Sequence, residues 1–242
     1  MKTLLTAGAA SACLVLLSTA AFAEETSLFE GWNKNIEAGA TYSSGNTEEE
    51  TTNVAIKLNK EGSVQQWGHT IKLAAKSSKD DGVRNEEEYR AATQSRFNTT
   101  EDDYKFIELE YIKDRFSGYD YRMSENIGQG KKFYDTENFK LAGEASLGLR
   151  QTEDTNGSKD NSMLVKFAAK ANWQINEHVA LSEELSVAIA DTTITLSETA
   201  IKNALSDNLY FKMGLTIEHN SDVPAGTDNT DTTTSINLGY SF

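Results

Sequence analysis

Apolar and polar residues alternate along most of this chain with a period of two, which is typical of β-strands and not of helices. Within residues 163–173, Met163, Val165 and Phe167 lie on one face, and Lys166 and Lys170 lie on the other. Runs of the same kind occupy residues 36–42, 54–59, 67–76, 86–97, 139–150 and 209–218. Less regular runs occupy residues 104–113, 119–127, 179–189 and 194–205.

The last run, residues 234–242, stops on an aromatic residue at the carboxyl terminus. A strand places successive side chains on opposite faces, so Ile236, Leu238, Tyr240 and Phe242 share one face, and small polar residues share the other. A final strand that ends on Phe resembles the terminal signature of bacterial outer-membrane barrels. With this run the predicted number of strands is twelve, within a range of ten to fourteen.

Residues 194–205 are harder to assign, because their alternation changes phase near Ser197 and Glu198. We interpret the change as a β-bulge, which inserts one extra residue and reverses the faces that follow it. A helix over residues 197–206 is the alternative.

Composition supports a barrel in which only one face of each strand meets lipid. Only 38% of the residues are hydrophobic and the mean hydropathy is −0.52. After residue 23 no run approaches the 18 or more apolar residues of a membrane-spanning helix. A membrane barrel fits these averages, because lipid-facing and lumen-facing residues alternate. We therefore predict an all-β fold, a transmembrane antiparallel β-barrel of about twelve strands that occupies residues 24–242.

The first 23 residues have the features of a cleaved signal peptide. Lys2 supplies the positive start, an apolar stretch follows, and Ala21-Phe22-Ala23 forms an A-x-A cleavage site before two acidic residues. Cys13, the single cysteine, lies inside this segment. Cleavage would leave a mature chain without disulfides, thiol catalysis or a thiolate metal site.

An even number of strands places both ends of the barrel chain on the periplasmic side and predicts connections that alternate between short and long. The predicted periplasmic turns are residues 61–63, 98–102, 135–137, 176–177 and 206–207. The predicted outer loops are residues 43–48, 77–83, 114–118, 152–161, 191–193 and 220–231, of which four are longer than any predicted turn.

Aromatic residues fall near the predicted strand ends, as in the girdles that mark the two edges of a bilayer. The periplasmic girdle is predicted to contain Trp32, Trp67, Phe97, Tyr104, Phe133, Tyr134, Phe139, Trp173, Tyr210, Phe211, Tyr240 and Phe242. The outer girdle is predicted to contain Tyr42, Tyr89, Phe116, Tyr119 and Tyr121. A soluble sandwich would distribute its rings through the core instead.

Charged residues of both signs occupy the faces that alternation directs inward. They are Lys57, Lys72, Arg90, Arg96, Arg122, Glu144, Arg150, Lys166, Lys170, Glu184, Lys212 and Glu218. Such residues either form cross-strand ion pairs that fill the lumen or line a water path that selects ions. Because both signs occur, no strongly selective ring is visible.

The formal net charge of −14 argues against binding to nucleic-acid phosphates. The predicted partners are outer-membrane lipids and lipopolysaccharide, around a monomer. Acidic residues of the outer loops are candidates for holding divalent cations through oxygen ligands, and they are Asp80, Asp81, Glu153, Asp154, Asp160, Asp222, Asp228 and Asp231. Solvated loop charge is the alternative, because Asp154-Thr155-Asn156-Gly157 lacks the closing Glu of a calcium loop.

One enzymatic alternative rests on His219 and Ser221, which have the H-x-S spacing found in outer-membrane lipid hydrolases. The two side chains would share the lipid-facing side of the eleventh strand, with Asp191 or Asp231 as the group that orients the histidine. Ser221 also fits an ordinary Asn-Ser-Asp turn. His69 and His178 are predicted to be structural, and no cofactor or metal is predicted.

Three segments carry a resemblance to a known family. They are Ser44-Gly45-Asn46-Thr47-Glu48, the stretch from Asp114-Arg115-Phe116 to Tyr119-Asp120-Tyr121-Arg122, and Asn220-Ser221-Asp222 with Pro224-Ala225-Gly226 and Thr230-Asp231-Thr232. Together they resemble the YdiY-like family over roughly residues 30–242. That family is described as salt-induced outer-membrane proteins of unknown function, which implies a barrel in the bacterial outer membrane and no established activity.

The sequence thus predicts a non-enzymatic envelope protein or a narrow, porin-like pore with a charged lumen. The alternatives are a lipid hydrolase and a structural or adhesive surface protein.

Overall fold

A computed structural model describes residues 29–44, 49–80, 83–115, 119–223 and 228–242 of the chain. The predicted signal peptide and its cleavage lie outside these residues and stay predictions. The same holds for the loop prediction at Asp81, for Phe116 and for the Pro224-Ala225-Gly226 part of the family pattern.

Twelve antiparallel strands form one closed barrel in which each strand pairs with its neighbours in sequence. The strands are β1 (Asn33–Ser44), β2 (Glu49–Lys60), β3 (Trp67–Asp80), β4 (Val83–Asn98), β5 (Asp103–Asp114), β6 (Tyr119–Asp135), β7 (Phe139–Asp154), β8 (Lys159–Gln174), β9 (Val179–Ile189), β10 (Thr193–Ala204), β11 (Leu209–Asn220) and β12 (Thr230–Ser241). The predicted fold class and the predicted number of strands are confirmed. Within the described ranges, no helix has the length and hydrophobicity needed to cross a membrane.

The last strand closes the barrel against the first. Ile36 lies opposite Tyr240, and the pairing continues without a shift from Asn35 and Ser241 to Ser44 and Thr232. The alternation of the two strands matches, so their apolar side chains meet on the same face. Closure removes both sheet edges and pairs the backbone groups that an edge strand would expose.

The outward face of the barrel carries a continuous apolar band. Ile127 is 65% exposed, Met163 76% and Leu147 59%. In water an apolar surface of this extent is unfavourable, whereas the lipid-facing side of a transmembrane barrel requires it. Most inward positions are polar or small, for example Ser124, Asn126 and Ser146, and a few such as Phe106 are large and apolar.

Strand β10 is regular, and the predicted bulge near Ser197 and Glu198 is wrong. Its pairing with β9 and β11 runs without a register shift, and the segment is a strand rather than a helix. The change of phase arises because the faces of β10 are inverted in part, with Ile194 and Leu196 inward and Ser197 outward. The irregular registers lie elsewhere, at Ser78/Lys79 in β3, and at Tyr119/Tyr121 and Lys132/Tyr134 in β6.

Strand β1 begins and β12 ends at the same end of the barrel, which we call the terminal end, and the opposite end is the distal end. The connections at the terminal end are residues 61–66, 99–102, 136–138, 175–178 and 205–208, and those at the distal end are residues 45–48, 81–82, 115–118, 155–158, 190–192 and 221–229. Of the distal connections only 221–229 is longer than every terminal one, so the predicted alternation of short and long connections is wrong. The reason is that the hairpins continue into the predicted loops.

The β7–β8 hairpin illustrates this extension. Its strands run to Asp154 and from Lys159, and the amide of Gly157 donates to the carbonyl of Asp154 at 2.8 Å. Gly157 adopts a φ of 82°, which glycine reaches without steric cost. A four-residue turn thus replaces the longer loop.

An aromatic girdle surrounds the terminal end, as predicted. Trp67, Phe133, Tyr134, Phe139, Trp173, Tyr240 and Phe242 are exposed there, and Trp32 and Phe97 contact His69 and Trp67, respectively. Two assignments are wrong, because Tyr104 and Tyr210 are only 2% and 3% exposed and point into the lumen. At the distal end Tyr89 is exposed, and the predictions for the Tyr42 side chain and Phe116 fall outside what the structure describes.

Candidate functional site: the charged lumen

The lumen is the space enclosed by the barrel, and every charged residue predicted to point inward does face it. The register also places further charged residues there, namely Glu37, Glu88, Glu108, Glu110, Glu198 and Lys202. Their placement follows from the strand register, because each of them pairs directly with another inward position.

Glu144 on β7 is the most buried carboxylate of the central lumen, with 6% of its side chain exposed. The hydroxyl of Tyr104 and the ammonium of Lys170 each donate to it at 2.8 Å, and the amide of Gln94 donates at 3.3 Å. Charge-assisted hydrogen bonds of this kind satisfy a carboxylate that has lost most of its water.

Glu184 on β9 extends this arrangement across the lumen. Lys72 lies 3.5 Å from one of its oxygens, and Lys170 lies 3.8 Å from the other. Strands β3 and β9 are six strands apart in a closed order of twelve. The Lys72–Glu184 pair therefore joins opposite walls. We call Lys72, Gln94, Tyr104, Glu108, Glu144, Lys166, Lys170 and Glu184 the central network, in which Lys166 donates to Glu108 at 2.7 Å.

The central network borders open space inside the barrel. The inward side chain of Lys72 is 50% exposed and that of Glu184 is 31% exposed. The cross-lumen pair thus narrows the lumen while part of each side chain stays accessible.

A second cluster lies at the terminal end around Glu37 of β1. Lys212 donates to one carboxylate oxygen at 2.8 Å, and the hydroxyl of Tyr210 donates to the other at 3.0 Å. The ammonium of Lys202 lies 3.7 Å from the centre of the Tyr210 ring, a favourable cation–π distance.

The clusters around Glu144 and Glu37 are built on the same pattern. Tyr104, Gly130 and Glu144 lie side by side on β5, β6 and β7. Tyr210, Gly239 and Glu37 do so on β11, β12 and β1. The two groups are six strands apart, so the barrel has an approximate two-fold repeat.

The repeat extends to neighbouring strands. Arg96 on β4 and Lys202 on β10 each place their charge over the tyrosine ring of their half. Lys72 pairs with Ala92, four residues before Arg96, and Glu184 pairs with Glu198, four residues before Lys202. Lys72 and Glu184 are therefore equivalent positions of the two halves.

Each glycine of the repeat leaves room for a tyrosine ring. A Cβ atom on Gly130 or on Gly239 would lie 2.2 Å from the Cζ of Tyr104 or Tyr210. No side chain larger than hydrogen fits under these rings without displacing them. The glycines thus fix the direction in which each hydroxyl meets its carboxylate.

The distal lumen has a different arrangement. Arg150 is 5% exposed and its Nη1 lies 3.7 Å from Asp191, beyond hydrogen-bond distance. Among the residues that the structure describes, its Nε and Nη1 and the Nε of Arg122 have no hydrogen-bond partner. The Arg122 guanidinium lies 4.6 Å from the centre of the Tyr119 ring. Arg90 lies near two carboxylates instead of one, at 3.8 Å from both Glu88 and Glu110.

The structure does not join His219 and Ser221 into a catalytic pair. The His219 ring nitrogen Nδ1 lies 2.9 Å from the Thr230 hydroxyl, whereas the Ser221 Oγ accepts a hydrogen bond from the amide of Thr193 at 2.9 Å. Each side chain therefore has a partner other than its proposed catalytic partner, and Ser221 lies in a turn. Nothing in this geometry supports the hydrolase alternative.

The acidic residues of the distal end do not come together in the described part of the chain. No group of three or more His, Cys, Asp or Glu side chains there has an arrangement able to hold a metal ion. Glu153 instead pairs with Lys159 at 3.0 Å. The amide of Ser158 binds the side chain of Asn156 at 2.8 Å, as in an ordinary Asx turn.

Sequence reasoning missed the two tyrosines that bind carboxylates. Tyr104 and Tyr210 were assigned to the girdle because they stand near strand ends. The parity of the strand was the available signal, since Tyr210 lies two residues before the inward Lys212, and Tyr104 two residues before the buried Phe106.

Comparisons with known proteins agree with this architecture. The protein called "Uncharacterized protein YdiY" from Escherichia coli (strain K12) is 28% identical over 215 residues, which are 88% of this chain and 83% of that protein. The solved NanC porin shares 10% identity with a TM-score of 0.59, over 85% of this chain and 98% of the porin. The translocator domain of the autotransporter NalP from Neisseria meningitidis shares 10% identity with a TM-score of 0.49, over 98% of each chain.

At 10% identity the NanC porin shows a common fold and nothing finer, namely the closed barrel of an outer-membrane porin. The resemblance to the YdiY-like family is confirmed by the family profile as well. The profile of the family described as "Protein of unknown function, DUF481" matches residues 36–242, and this chain belongs to that family.

Proposed function

We propose that this protein resides in the bacterial outer membrane as a monomer and forms a narrow, water-filled pore whose width is limited by the Lys72–Glu184 pair. The observation that carries the proposal is that Lys72 and Glu184 point toward each other from opposite walls and remain 50% and 31% exposed. Water inside a closed barrel with an apolar outer band is the minimum requirement for ion passage.

The charge pattern supports a pore of low ion selectivity. Lysines and glutamates alternate around the central network, so no ring of one sign is present among the described inward residues. The partners in this setting are outer-membrane lipids and lipopolysaccharide against the apolar band.

Planar-bilayer recording tests the proposal. The purified, folded protein is expected to give discrete single-channel steps, and Lys72→Ala is expected to raise their conductance because it removes one half of the cross-lumen pair. Lys105→Ala is the matched control, since Lys105 is exposed on the outward face of β5. Its conductance should equal that of the wild type.

Folding must be established separately, by the heat-dependent gel mobility typical of closed barrels. Absence of current from protein that passes this check would contradict the pore. It would favour the second candidate, an envelope scaffold whose central network only fills the barrel.

A further inference from the structure

The distal lumen contains cations with unused hydrogen-bond donors. Arg122 and Arg150 face it from adjacent strands β6 and β7, and Arg150 lies between the inward Ser124 and Ser162. The Nε atoms of both arginines and the Nη1 of Arg150 are buried without a hydrogen-bond partner. Buried donors of this kind call for a ligand, because an unsatisfied charged group is costly.

The facing wall contains carboxylates that are partly exposed to the lumen. Glu218 on β11 and Glu198 on β10 point inward, and within the described ranges the structure gives neither a hydrogen bond nor an ion pair closer than 4 Å. Strand β11 is five strands from β6, so Glu218 lies nearly opposite Arg122. Both stand near the distal ends of their strands, and the charge of Glu218 acts on Arg90 of β4 as well as on Arg122.

The inverted face of β10 adds an apolar surface beside these carboxylates. Ile194 and Leu196 point into the lumen, and Leu196 is the direct cross-strand neighbour of Glu218. The distal lumen therefore presents the guanidinium donors of Arg122 and Arg150 on one wall, the carboxylates of Glu218 and Glu198 on the other, and the apolar side chains of β10 beside those carboxylates. Arg90, Glu88 and Glu110 also face this part of the lumen from β4 and β5.

We propose that this arrangement is a binding site for a small zwitterionic solute that carries a carboxylate and an ammonium group on a short carbon chain. The solute carboxylate accepts hydrogen bonds from Arg122 and Arg150, and its ammonium donates to Glu218 and Glu198. A simple anion would be attracted by the arginines but repelled by the glutamates. A simple cation would be attracted by the glutamates but repelled by the arginines. The inference rests on the proposed function, because the lumen must admit solutes.

Titration calorimetry of the folded protein in detergent tests the site without requiring current. The probe is γ-aminobutyrate, with butyrate and butylamine as single-charge analogues of the same chain length. We expect γ-aminobutyrate to bind roughly tenfold more tightly than either analogue, because each analogue leaves one wall unpaired. Arg122→Gln and Glu218→Gln are each expected to abolish that preference.

Arg115→Gln and Glu125→Gln are matched controls that remove the same charges outside the lumen, and they should leave the preference intact. Equal binding of the three probes, or binding of none, overturns the site even if the protein conducts. Tight binding of γ-aminobutyrate by a protein that passes no current supports the binding site and contradicts the pore. The experiment therefore distinguishes failure of the binding site from failure of the proposed pore.

Discussion

The central lumen holds carboxylates with close hydrogen bonds, whereas among the described residues the arginines of the distal lumen approach carboxylates no closer than 3.7 Å. In the centre, Glu144 accepts hydrogen bonds from three side chains and Glu184 contacts two lysines. At the distal end, Arg122 and Arg150 keep buried Nε atoms without a partner. The comparison teaches that charge inside a barrel has two uses: paired groups set the shape of the lumen, and unpaired groups remain available to a solute.

The largest expected effect separates these two uses directly. Glu144→Ala removes the acceptor of Tyr104, Lys170 and Gln94 and should lower the free energy of unfolding by about 3 kcal/mol. Glu218→Ala should change it by less than about 0.5 kcal/mol, because no partner loses a contact. Guanidinium unfolding in lipid vesicles, followed by tryptophan fluorescence, measures both. Equal losses in the two variants would show that pairing does not distinguish the two regions.

A somewhat smaller effect is expected where the central network depends on glycine. Gly130→Ala forces a Cβ against the Tyr104 ring and should lower the free energy of unfolding by about 2 kcal/mol. In a Tyr104→Ala background the same substitution should cost far less, since the ring is gone. Additive losses in this double-mutant cycle would contradict the proposed steric role.

The two-fold repeat provides a third, finer comparison. Glu37→Ala repeats the Glu144 substitution at the equivalent position of the other half, where 15% of the side chain is exposed instead of 6%. The loss should be about 1.5 kcal/mol, because water more readily replaces the contacts with Tyr210 and Lys212. A loss of stability larger than that of Glu144→Ala would mean that side-chain burial does not determine which of the two clusters contributes more to stability.

The smallest effect carries the same contrast to the outer surface. Glu125 stands between Leu109 and Leu149 on the apolar band, whereas Glu183 accepts hydrogen bonds from Ser197 and Thr199. Glu125→Leu should raise the free energy of unfolding in vesicles by about 1 kcal/mol, because a carboxylate on the lipid face is unfavourable. Glu183→Leu should lower it, since two hydroxyls lose their acceptor. The same sign in both variants would contradict the role of these hydrogen bonds.

Period-two alternation was sufficient to predict the closed barrel, its twelve strands and the inward charges such as Lys72 and Glu144. The alternation was misleading in β10, where apolar side chains do not all face outward. Ile194 and Leu196 point inward there, although the strand has no bulge. Parity was also overlooked at Tyr104 and Tyr210, whose position near strand ends favoured the girdle.

The pairing of the charges was beyond the sequence for a different reason. Lys72 and Glu184 are 112 residues apart and meet only because the barrel closes with a particular register. Local patterns specify which face a residue takes, but the partner across the lumen depends on all the intervening registers. The distinction between paired and unpaired charges therefore required the structure.

The two-fold repeat has a consequence at the place where its halves come into contact. Lys72 and Glu184 occupy equivalent positions and touch each other, so a perfectly repeated sequence would bring together two ammonium groups or two carboxylates. Like charges at such a separation repel, so the barrel would lose the ion pair that joins its opposite walls. A barrel with this two-fold repeat must therefore have different residues at the two equivalent positions that meet in its centre. One lysine and one glutamate satisfy this requirement.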